Sequence, residues 1–294
     1  MANIYVAPKS DGVTSRDGSI GNPYWLREAA SDSGTGGGDH IICSPGDYSD
    51  ATDDVYNANN NSSLKGGSTN NFLWIEASDP GDKPKFQKSC YLVERDGTKK
   101  VDWVAFKSIN WEVARGQKMV GSNRAKPVTL NRDYHADWIY FEDCEFHCTD
   151  WENEGSNTSR QLGFYNSEHI YFRQCSFHHG NASETGESNF VQFNSCEDVI
   201  FDECDFSECR AGHNGLSVQS CQGFALLDTI VRSYWYRFAT INRDGKDNPD
   251  TPTSNWLVDR VAALCCNWDY GANDEGTADP SQLPINTYVH PTTG

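Results

Sequence analysis

A nine-residue pattern of apolar and polar positions recurs along the middle of the chain. In each copy apolar residues alternate with polar ones, the alternation slips by one position at a short polar pair, and it then resumes. Alternation with a period of two is typical of a half-buried β-strand, so each copy predicts two short strands joined by a bend. The clearest copies are 103–111, 138–146, 169–177 and 198–206.

Two weaker copies follow at 226–231 and 258–263, the first with a register that is ambiguous by one residue. The steps between equivalent positions are 35, 31, 29, 25 and 32 residues when the following residues are aligned: Ile109, Cys144, Cys175, Cys204, Thr229 and Val261. Such uneven spacing predicts loops of variable length on a constant scaffold.

A third strand precedes the pair in most coils, at 128–131, 162–165, 191–194, 216–219 and 239–242. Three strands per coil predict an all-β fold, a right-handed parallel β-helix with three flat sides. We call the stack of these preceding strands the first ladder. The stacks made by the two strands of each pair are the second and third ladders. Equivalent residues of successive coils should lie about 4.8 Å apart inside the solenoid, in columns such as Phe141, Phe172, Phe201 and Cys144, Cys175, Cys204.

The ends of such a solenoid need covering because they expose apolar core and unpaired strand edges. Residues 23–30 have a proline near a helix start and apolar residues at helical spacing, which predicts a short N-terminal capping helix before the first strand, 40–43. We therefore expect a single domain over 1–294, with the cap and first strand in 1–45, coils in 46–269, and an irregular C-terminal segment in 270–294 that could mark a truncation.

The opening of the chain carries an ordered set of short motifs: Tyr5-Val6, Asp17-Gly18, the expected helix, Gly38-Asp39 and Pro45-Gly46-Asp47-Tyr48. This order resembles the start of many secreted or virus-borne parallel β-helix proteins, a superfamily that includes pectate and alginate lyases, pectin-type hydrolases and phage tailspikes. The resemblance implies a carbohydrate-directed protein. In the enzymes of that superfamily the site usually lies on the first ladder and its preceding loops, along which an extended glycan would run.

The net charge limits the class of partner that the chain can bind, and the cysteine count indicates the state of its thiols. The formal net charge of −18 disfavours nucleic acid and anionic membranes, and it disfavours a polyanionic substrate unless a local basic patch reverses it. No apolar run approaches the ~18 residues of a membrane span, so we expect no membrane insertion. The start has no signal-peptide pattern, so either a leader has been removed or the protein leaves its cell by another route, such as assembly into a virus particle, and we expect an extracellular or virion-associated protein. Eleven cysteines, an odd number placed mostly in the repeat, predict buried free thiols rather than a disulfide framework.

Neutral polar residues fill the outward positions of the first ladder. We take these as candidates for glycan binding, with two loop tryptophans as sugar platforms: Asn131, Tyr165, Gln192, Asn194, Gln219, Asn242, Trp151 and Trp235. An equally weighted alternative is that stacked Asn and Gln side chains stabilise the solenoid by bonding to one another. Trp103, Trp138 and Trp256 lie within the repeat, which favours a structural role.

Catalytic candidates follow from the chemistry of a lyase, since the middle coils of the first ladder lack the two carboxylates that a glycoside hydrolase needs. A lyase needs a base and a cation that neutralises a uronate. Arg132 and Arg243 end predicted first-ladder strands, His213 lies just before one, and Tyr234 lies in the loop before another. Local ion pairing and a solvated histidine are the competing interpretations. The Lys and Arg pair of alginate lyases finds no match here.

Asp244, Asp247 and Asp250 offer oxygen ligands at short spacing around a turn-forming glycine. This spacing suggests a Ca²⁺ site, although a solvated acidic loop competes with it and the fold itself requires no cofactor.

Three functions remain open at this point. The chain is a polysaccharide lyase or hydrolase, a non-catalytic glycan-binding or tailspike module that would form a homotrimer in a virion, or a structural spacer.

Overall fold

The computed structural model describes residues 1–9, 16–32, 34–50, 64, 66–88, 90–92, 101–113, 119–121, 136–149, 162–179, 189–209, 214–234, 238–243 and 254–264. These residues form three sheets in which every paired strand is parallel to its neighbour, one sheet for each side of the coil. The chain passes from first to second to third ladder and then returns to the first ladder one coil further along. The expected parallel β-helix with three strands per coil is therefore confirmed.

Each ladder is a continuous stack of short strands. The second ladder contains nine: β1 (Asn3–Val6), β2 (His40–Cys43), β4 (Leu73–Ala77), β7 (Val104–Lys107), β10 (Ile139–Glu142), β13 (Glu168–Arg173), β16 (Glu197–Asp202), β19 (Gln222–Leu227) and β22 (Ser254–Asp259). The third ladder contains eight: β3 (Asp47–Tyr48), β5 (Lys85–Phe86), β8 (Asn110–Val113), β11 (Glu145–Cys148), β14 (Ser176–His178), β17 (Asp205–Cys209), β20 (Ile230–Tyr234) and β23 (Ala262–Leu264). The first ladder contains six: β6 (Cys90–Tyr91), β9 (Val120–Gly121), β12 (Leu162–Tyr165), β15 (Asn189–Asn194), β18 (Asn214–Gln219) and β21 (Ala239–Arg243).

The bend between the second and third ladders is made by a residue with positive φ followed by a buried residue, which is a cysteine in three of the coils. Asp143, Gln174 and Glu203 have φ of 52°, 53° and 53°. Each precedes a cysteine whose thiol donates to the carbonyl two residues earlier, as Cys175 does to Arg173 at 3.4 Å. Thr229 occupies the same corner one coil later and donates to Leu227 O at 2.7 Å. Thr229 is therefore equivalent to the corner cysteines, as the alignment of the weaker copy at 226–231 predicted. A hydroxyl replaces the thiol in the same kind of bend.

The core consists of stacked rings. On the second ladder Phe106, Phe141, Phe172 and Phe201 follow one another with ring centroids 5.2, 4.7 and 4.7 Å apart. The third ladder adds a parallel stack, Trp111, Phe146, Phe177 and Phe206. Both stacks are buried.

The cysteines of the described segments are free thiols inside the fold, as expected: Cys43, Cys90, Cys144, Cys148, Cys175, Cys196, Cys204 and Cys221. Burial among apolar rings raises the pKa of Cys175 and keeps it a neutral thiol.

The predicted helix at 23–30 is α1 (Leu26–Ser31), three residues later than expected at its start. Leu26, Ala29 and Ala30 join the core beside β1 and β2, and Glu28 accepts a hydrogen bond from the backbone N–H of Trp25. Its function as a lid on the solenoid stays a prediction. Across the ranges given above, no helix has the length and apolar character that a membrane crossing requires.

The structure departs from the predicted strands in three places. β4 and β5 form a coil that the repeat did not reveal, because residues 78–84 separate them instead of a polar pair. The residues paired with Leu162 and Gly163 are Val120 and Gly121, whereas the strand predicted at 128–131 lies outside the described residues. A register shift pairs Gln219 with Arg243, so Asn242 does not continue the column to which the alternation assigned it.

Candidate functional site

The outer surface of the first ladder carries the predicted polar columns, and most of their described side chains are buried, although Gln219 is partly exposed. Gln192 is paired with Gly163 and Ser217, and Asn194 with Tyr165 and Gln219, as the repeat indicates. The exposed fractions are 1% for Gln192, 6% for Asn194 and 7% for Tyr165. Outward orientation from the solenoid core therefore does not make these side chains accessible to solvent.

The amides of this surface bond to protein groups. Asn194 Nδ2 donates to Gln219 Oε1 at 3.5 Å, and Gln219 Nε2 donates to Ser217 Oγ at 3.1 Å. Ser195 Oγ donates to Asn194 Oδ1 at 2.9 Å. These bonds fit the alternative interpretation, in which stacked amide side chains stabilise the solenoid by bonding to one another. A direct role in glycan binding for Tyr165, Gln192, Asn194 and Gln219 stays a prediction.

The other predicted site residues fall into two groups. Arg243 ends β21, as predicted for a first-ladder strand, and Asn242 precedes it. Tyr234 was predicted in a loop and instead ends β20 of the third ladder, paired with Cys209. This correction separates Tyr234 from Arg243 by placing them on different sides of the coil. Outside the described residues lie Asn131, Arg132, Trp151, His213, Trp235, Asp244, Asp247 and Asp250.

The outer surface of the second ladder holds a row of charges of alternating sign. One residue per coil contributes to it, in the order Glu76, Lys107, Glu142, Arg173 and Asp202. Lys107 Nζ lies 2.9 Å from Glu142 Oε1. The side chains of Glu76, Glu142 and Lys107 are 23%, 22% and 40% exposed, so this row is more open to solvent than Tyr165, Gln192 and Asn194 of the first ladder.

A second column beside these charges pairs hydroxyl groups with them. Tyr140 and Tyr171 are neighbours on successive coils, with rings 5.3 Å apart. Tyr140 donates to Glu142 Oε2 and Tyr171 donates to Asp202 Oδ2, each at 2.8 Å. His40 Nδ1 and Glu76 Oε1, 2.6 Å apart, form a comparable pair; His40 lies three coils before Tyr140, and Glu76 lies two coils before Glu142. We call the surface formed by Glu76, Lys107, Tyr140, Glu142, Tyr171, Arg173 and Asp202 the hydroxyl–carboxylate row.

The pKa shifts of this row favour binding over proton transfer. Burial and the bond to Glu142 raise the pKa of Tyr140, and burial and the bond to Asp202 raise that of Tyr171 to about 12. Burial alone would raise the pKa of Glu142, but hydrogen bonds from Lys107 and Tyr140 outweigh it and lower that pKa. At neutral pH Tyr140 and Tyr171 are therefore donors and Glu142 is an acceptor, whereas a general acid or base needs a pKa near the working pH.

An edge-on aromatic stack borders the row. Trp103, Trp138 and His169 stand face to face, with centroids 4.4 and 3.8 Å apart. Both faces of the Trp138 ring pack against its neighbours, so Trp138, which is 37% exposed, presents its edge to solvent. The structural role predicted for Trp103 and Trp138 fits this packing. Trp256, on the last strand of the second ladder, is 50% exposed.

Sequence reasoning missed the hydroxyl–carboxylate row although its signal was present. Each copy of the repeat places two polar or aromatic residues between the inward positions, as in Ile139-Tyr140-Phe141-Glu142 and Ile170-Tyr171-Phe172-Arg173. The alternation identified these positions as outward-facing, and the pairing of oppositely charged residues at one-coil spacing would have indicated a shared surface.

Comparison with known proteins yields structural likeness only. Neither a family model nor a curated protein matches the sequence. A rhamnogalacturonan lyase is 11% identical with a TM-score of 0.49, over 96% of this chain and 65% of its own. A putative glycosyl hydrolase from Parabacteroides merdae ATCC 43184 is 9% identical with a TM-score of 0.41, over 88% of this chain and 95% of its own. A mannuronic acid specific polysaccharide family 6 lyase from human gut microbiota is 10% identical with a TM-score of 0.40, over 90% and 59%. The fold assignment rests on the strand pairing above, and the function is argued from this chain's own residues.

Proposed function

We propose that this protein binds an extended, uncharged polysaccharide along the hydroxyl–carboxylate row of the second ladder. The supporting observation is that two successive coils each present a tyrosine hydroxyl bound to a carboxylate on a solvent-facing surface: Tyr140 to Glu142 of its own strand, and Tyr171 to Asp202 of the next coil. Successive coils are about 4.8 Å apart, which is similar to the length of one sugar unit in an extended glycan. An extended ligand would therefore meet a tyrosine hydroxyl on each of these two coils, together with acidic and basic side chains that alternate from coil to coil.

The charges of the row favour an uncharged ligand. Its acidic and basic members alternate and contact one another, as Lys107 contacts Glu142, so no excess positive charge is left to attract a polyanion. The net charge of −18 adds long-range repulsion of polyuronates. Ionised carboxylates and neutral hydroxyls in one row can still accept from and donate to sugar hydroxyls, and hydrogen bonds to charged groups are the stronger kind.

Binding without cleavage is the form of the proposal that the described residues support. The tyrosines have raised pKa values and Glu142 has a lowered one. These shifts oppose the roles of base and acid in glycan cleavage.

The test is a panel of soluble polysaccharides, neutral and uronate-rich, examined by affinity electrophoresis and by mass detection of products. The double variant Tyr140→Phe with Tyr171→Phe removes two hydroxyls and keeps the ring stack. We expect its affinity for the bound neutral glycan to fall about tenfold or more, equivalent to about 1.4 kcal/mol. The matched control is Tyr24→Phe, the same change beside the N-terminal strand.

Equal affinity of the double variant and the Tyr24→Phe control would refute this location for the site. New reducing or unsaturated ends from any glycan would show that the protein is an enzyme and would overturn binding alone. Tighter binding of a polyuronate than of every neutral glycan would contradict the ligand class.

A further inference from the structure

A cluster of imidazoles and carboxylates lies on the third ladder, away from the hydroxyl–carboxylate row. Glu145 and His147 are two residues apart on β11, so both point outward on either side of the inward Phe146. His178 on β14 is the parallel neighbour of His147, and Glu112 on β8 is its neighbour on the other side. Three successive coils therefore contribute side chains to one place.

His147 has one ring nitrogen within hydrogen-bonding distance of a carboxylate and one without a hydrogen-bond partner. Its Nε2 lies 3.2 Å from Glu112 Oε1, and Gln87 Nε2 donates to the other oxygen of that carboxylate at 3.0 Å. Glu112 therefore orients the ring and favours the tautomer in which Nε2–H donates. The Nδ1 atom is buried without a hydrogen-bond partner and faces Glu145 Oε1 at 3.8 Å. A buried lone pair without a partner is costly, and metal coordination would satisfy it.

His178 faces the same carboxylate oxygen from the next coil. Its Nε2 lies 2.6 Å from Glu145 Oε1, and its Nδ1 lies 2.8 Å from His179 Nδ1. If the Nδ1–H of His178 donates to His179, the Nε2 lone pair becomes available as a ligand. Both histidines would then have their second nitrogen hydrogen-bonded, an arrangement that fixes tautomer and ring direction in metal sites.

We propose that Glu145, His147 and His178 bind a divalent late transition metal ion, with Zn²⁺ as the leading candidate. One ligand atom from each residue lies within 4.8 Å of the other two. Tetrahedral Zn²⁺ with bonds of about 2.0–2.1 Å places its ligand atoms about 3.3 Å apart. The present separations of 2.6 and 3.8 Å to Glu145 Oε1 lie on either side of that value. Small side-chain rotations would lengthen the separation between His178 Nε2 and Glu145 Oε1 and shorten the one between His147 Nδ1 and Glu145 Oε1.

The donor set also indicates the class of ion and the coordination. Two imidazoles and a carboxylate suit Zn²⁺, Ni²⁺ and Cu²⁺ better than Ca²⁺ or Mg²⁺, which prefer oxygen ligands. Three protein ligands leave a fourth position for water or for a partner group. Bound metal would cross-link the coils of β11 and β14, and Glu112 would connect it to the coil of β8.

The experiment uses the untagged chain after chelator treatment. Zn²⁺ is titrated calorimetrically, and Co²⁺ is used as a spectroscopic probe because its visible absorption distinguishes tetrahedral nitrogen and oxygen ligands from thiolates. The test variants are His147→Gln and His178→Gln. The matched control is His40→Gln, because His40 forms a similar pair with Glu76 on the second ladder, at 2.6 Å. Circular dichroism of the metal-free variants shows whether they fold.

We expect the wild type and His40→Gln to bind one equivalent of Zn²⁺ with the same affinity. His147→Gln and His178→Gln should bind at least a hundredfold more weakly. Glu112→Gln should weaken binding about 10- to 100-fold, as changes to such outer partners do. Zn²⁺ should raise the unfolding temperature of the wild type and of His40→Gln by the same amount, that of Glu112→Gln by less, and those of His147→Gln and His178→Gln least.

Absence of Zn²⁺ binding by the folded wild type would overturn the proposal, and this result does not depend on any variant. A thiolate-type Co²⁺ spectrum that persists in His147→Gln would also overturn it by locating the metal at cysteines. Equal loss of affinity in His40→Gln would show that histidine content rather than this cluster is responsible.

Discussion

The first and second ladders enclose the same core, but their outer surfaces differ in charge and in exposure to solvent. On the first ladder the described outward residues are neutral and mostly buried, with Gln192 at 1% exposed. On the second ladder they are charged and partly open to solvent, with Lys107 at 40%. The comparison teaches that alternation along a strand identifies which side chains point away from the core. It does not identify which of them meet solvent, since that depends on what covers each side of the coil.

The largest expected effect tests the core that both ladders share. Phe172 packs between Phe141 and Phe201 and also contacts Phe193 of the first ladder. Phe172→Ala should lower the free energy of unfolding by about 3–5 kcal/mol, because it leaves a cavity between stacked rings. Urea unfolding measures this loss. Tyr171→Phe on the same strand is the control, and a comparable loss there would contradict the division between core and surface.

The next effect separates the two outer surfaces by one chemical change. Gln192→Glu should cost about 3 kcal/mol at neutral pH, because it places a charge in a buried site where Gln192 Oε1 already has no partner. Gln222→Glu, at an exposed position of β19, should change stability by less than about 0.5 kcal/mol.

The cost at position 192 should shrink as the pH falls, since burial raises the pKa of the new carboxyl and protonation removes its charge. Chemical unfolding at two pH values gives the result. Equal costs at positions 192 and 222 would mean that the first-ladder surface is open.

Glycan affinity tests which of the two outer surfaces binds the ligand. Tyr171→Phe should weaken binding by about 0.5–1.5 kcal/mol, the usual worth of a hydrogen bond, because it removes one donor from the hydroxyl–carboxylate row. Ser217→Ala, fully buried on the first ladder, should leave glycan affinity unchanged. Isothermal titration with the glycan identified by the panel measures both. A larger loss in Ser217→Ala would return the site to the first ladder.

The smallest effect concerns the charges of the second ladder. Lys107→Met should lower stability by at most about 1 kcal/mol, because Lys107 is well exposed and solvent screens its pair with Glu142. The difference between wild type and variant should decrease as salt is added. Thermal unfolding at low and high ionic strength shows this, and a salt-independent loss would mean that the lysine acts through packing of its aliphatic stem.

Much of the scaffold could be predicted because each coil repeats the same local chemistry. The alignment of Cys144, Cys175 and Cys204 with Thr229 was correct, since a buried side chain after a positive-φ residue recurs at each of these corners. The coil of β4 and β5 was missed because a longer connection replaces that corner. The register at Asn242 was wrong because a bulge shifts the pairing to Arg243, and a bulge leaves the alternation of neighbouring residues almost unchanged.

The candidate sites were less accessible to sequence reasoning. His147 and His178 follow Phe146 and Phe177 at the same position of successive repeats, so their adjacency was implicit in the alignment. Their tautomers, their bonds to Glu112 and Glu145 and the unpartnered Nδ1 depend on side-chain directions that no spacing specifies.

The sequence by itself determined the solenoid, its three ladders, the inward phenylalanine and cysteine columns and the free state of the described thiols. It could do so because stacking of similar coils requires only the alternation of side chains and a buried side chain after each bend. Only the tertiary structure decided that the polar first-ladder surface is buried, that the charged second-ladder surface is open, and that two histidines and a glutamate converge on the third. Burial and convergence depend on contacts between coils and on what covers each face, and local periodicity contains no record of either.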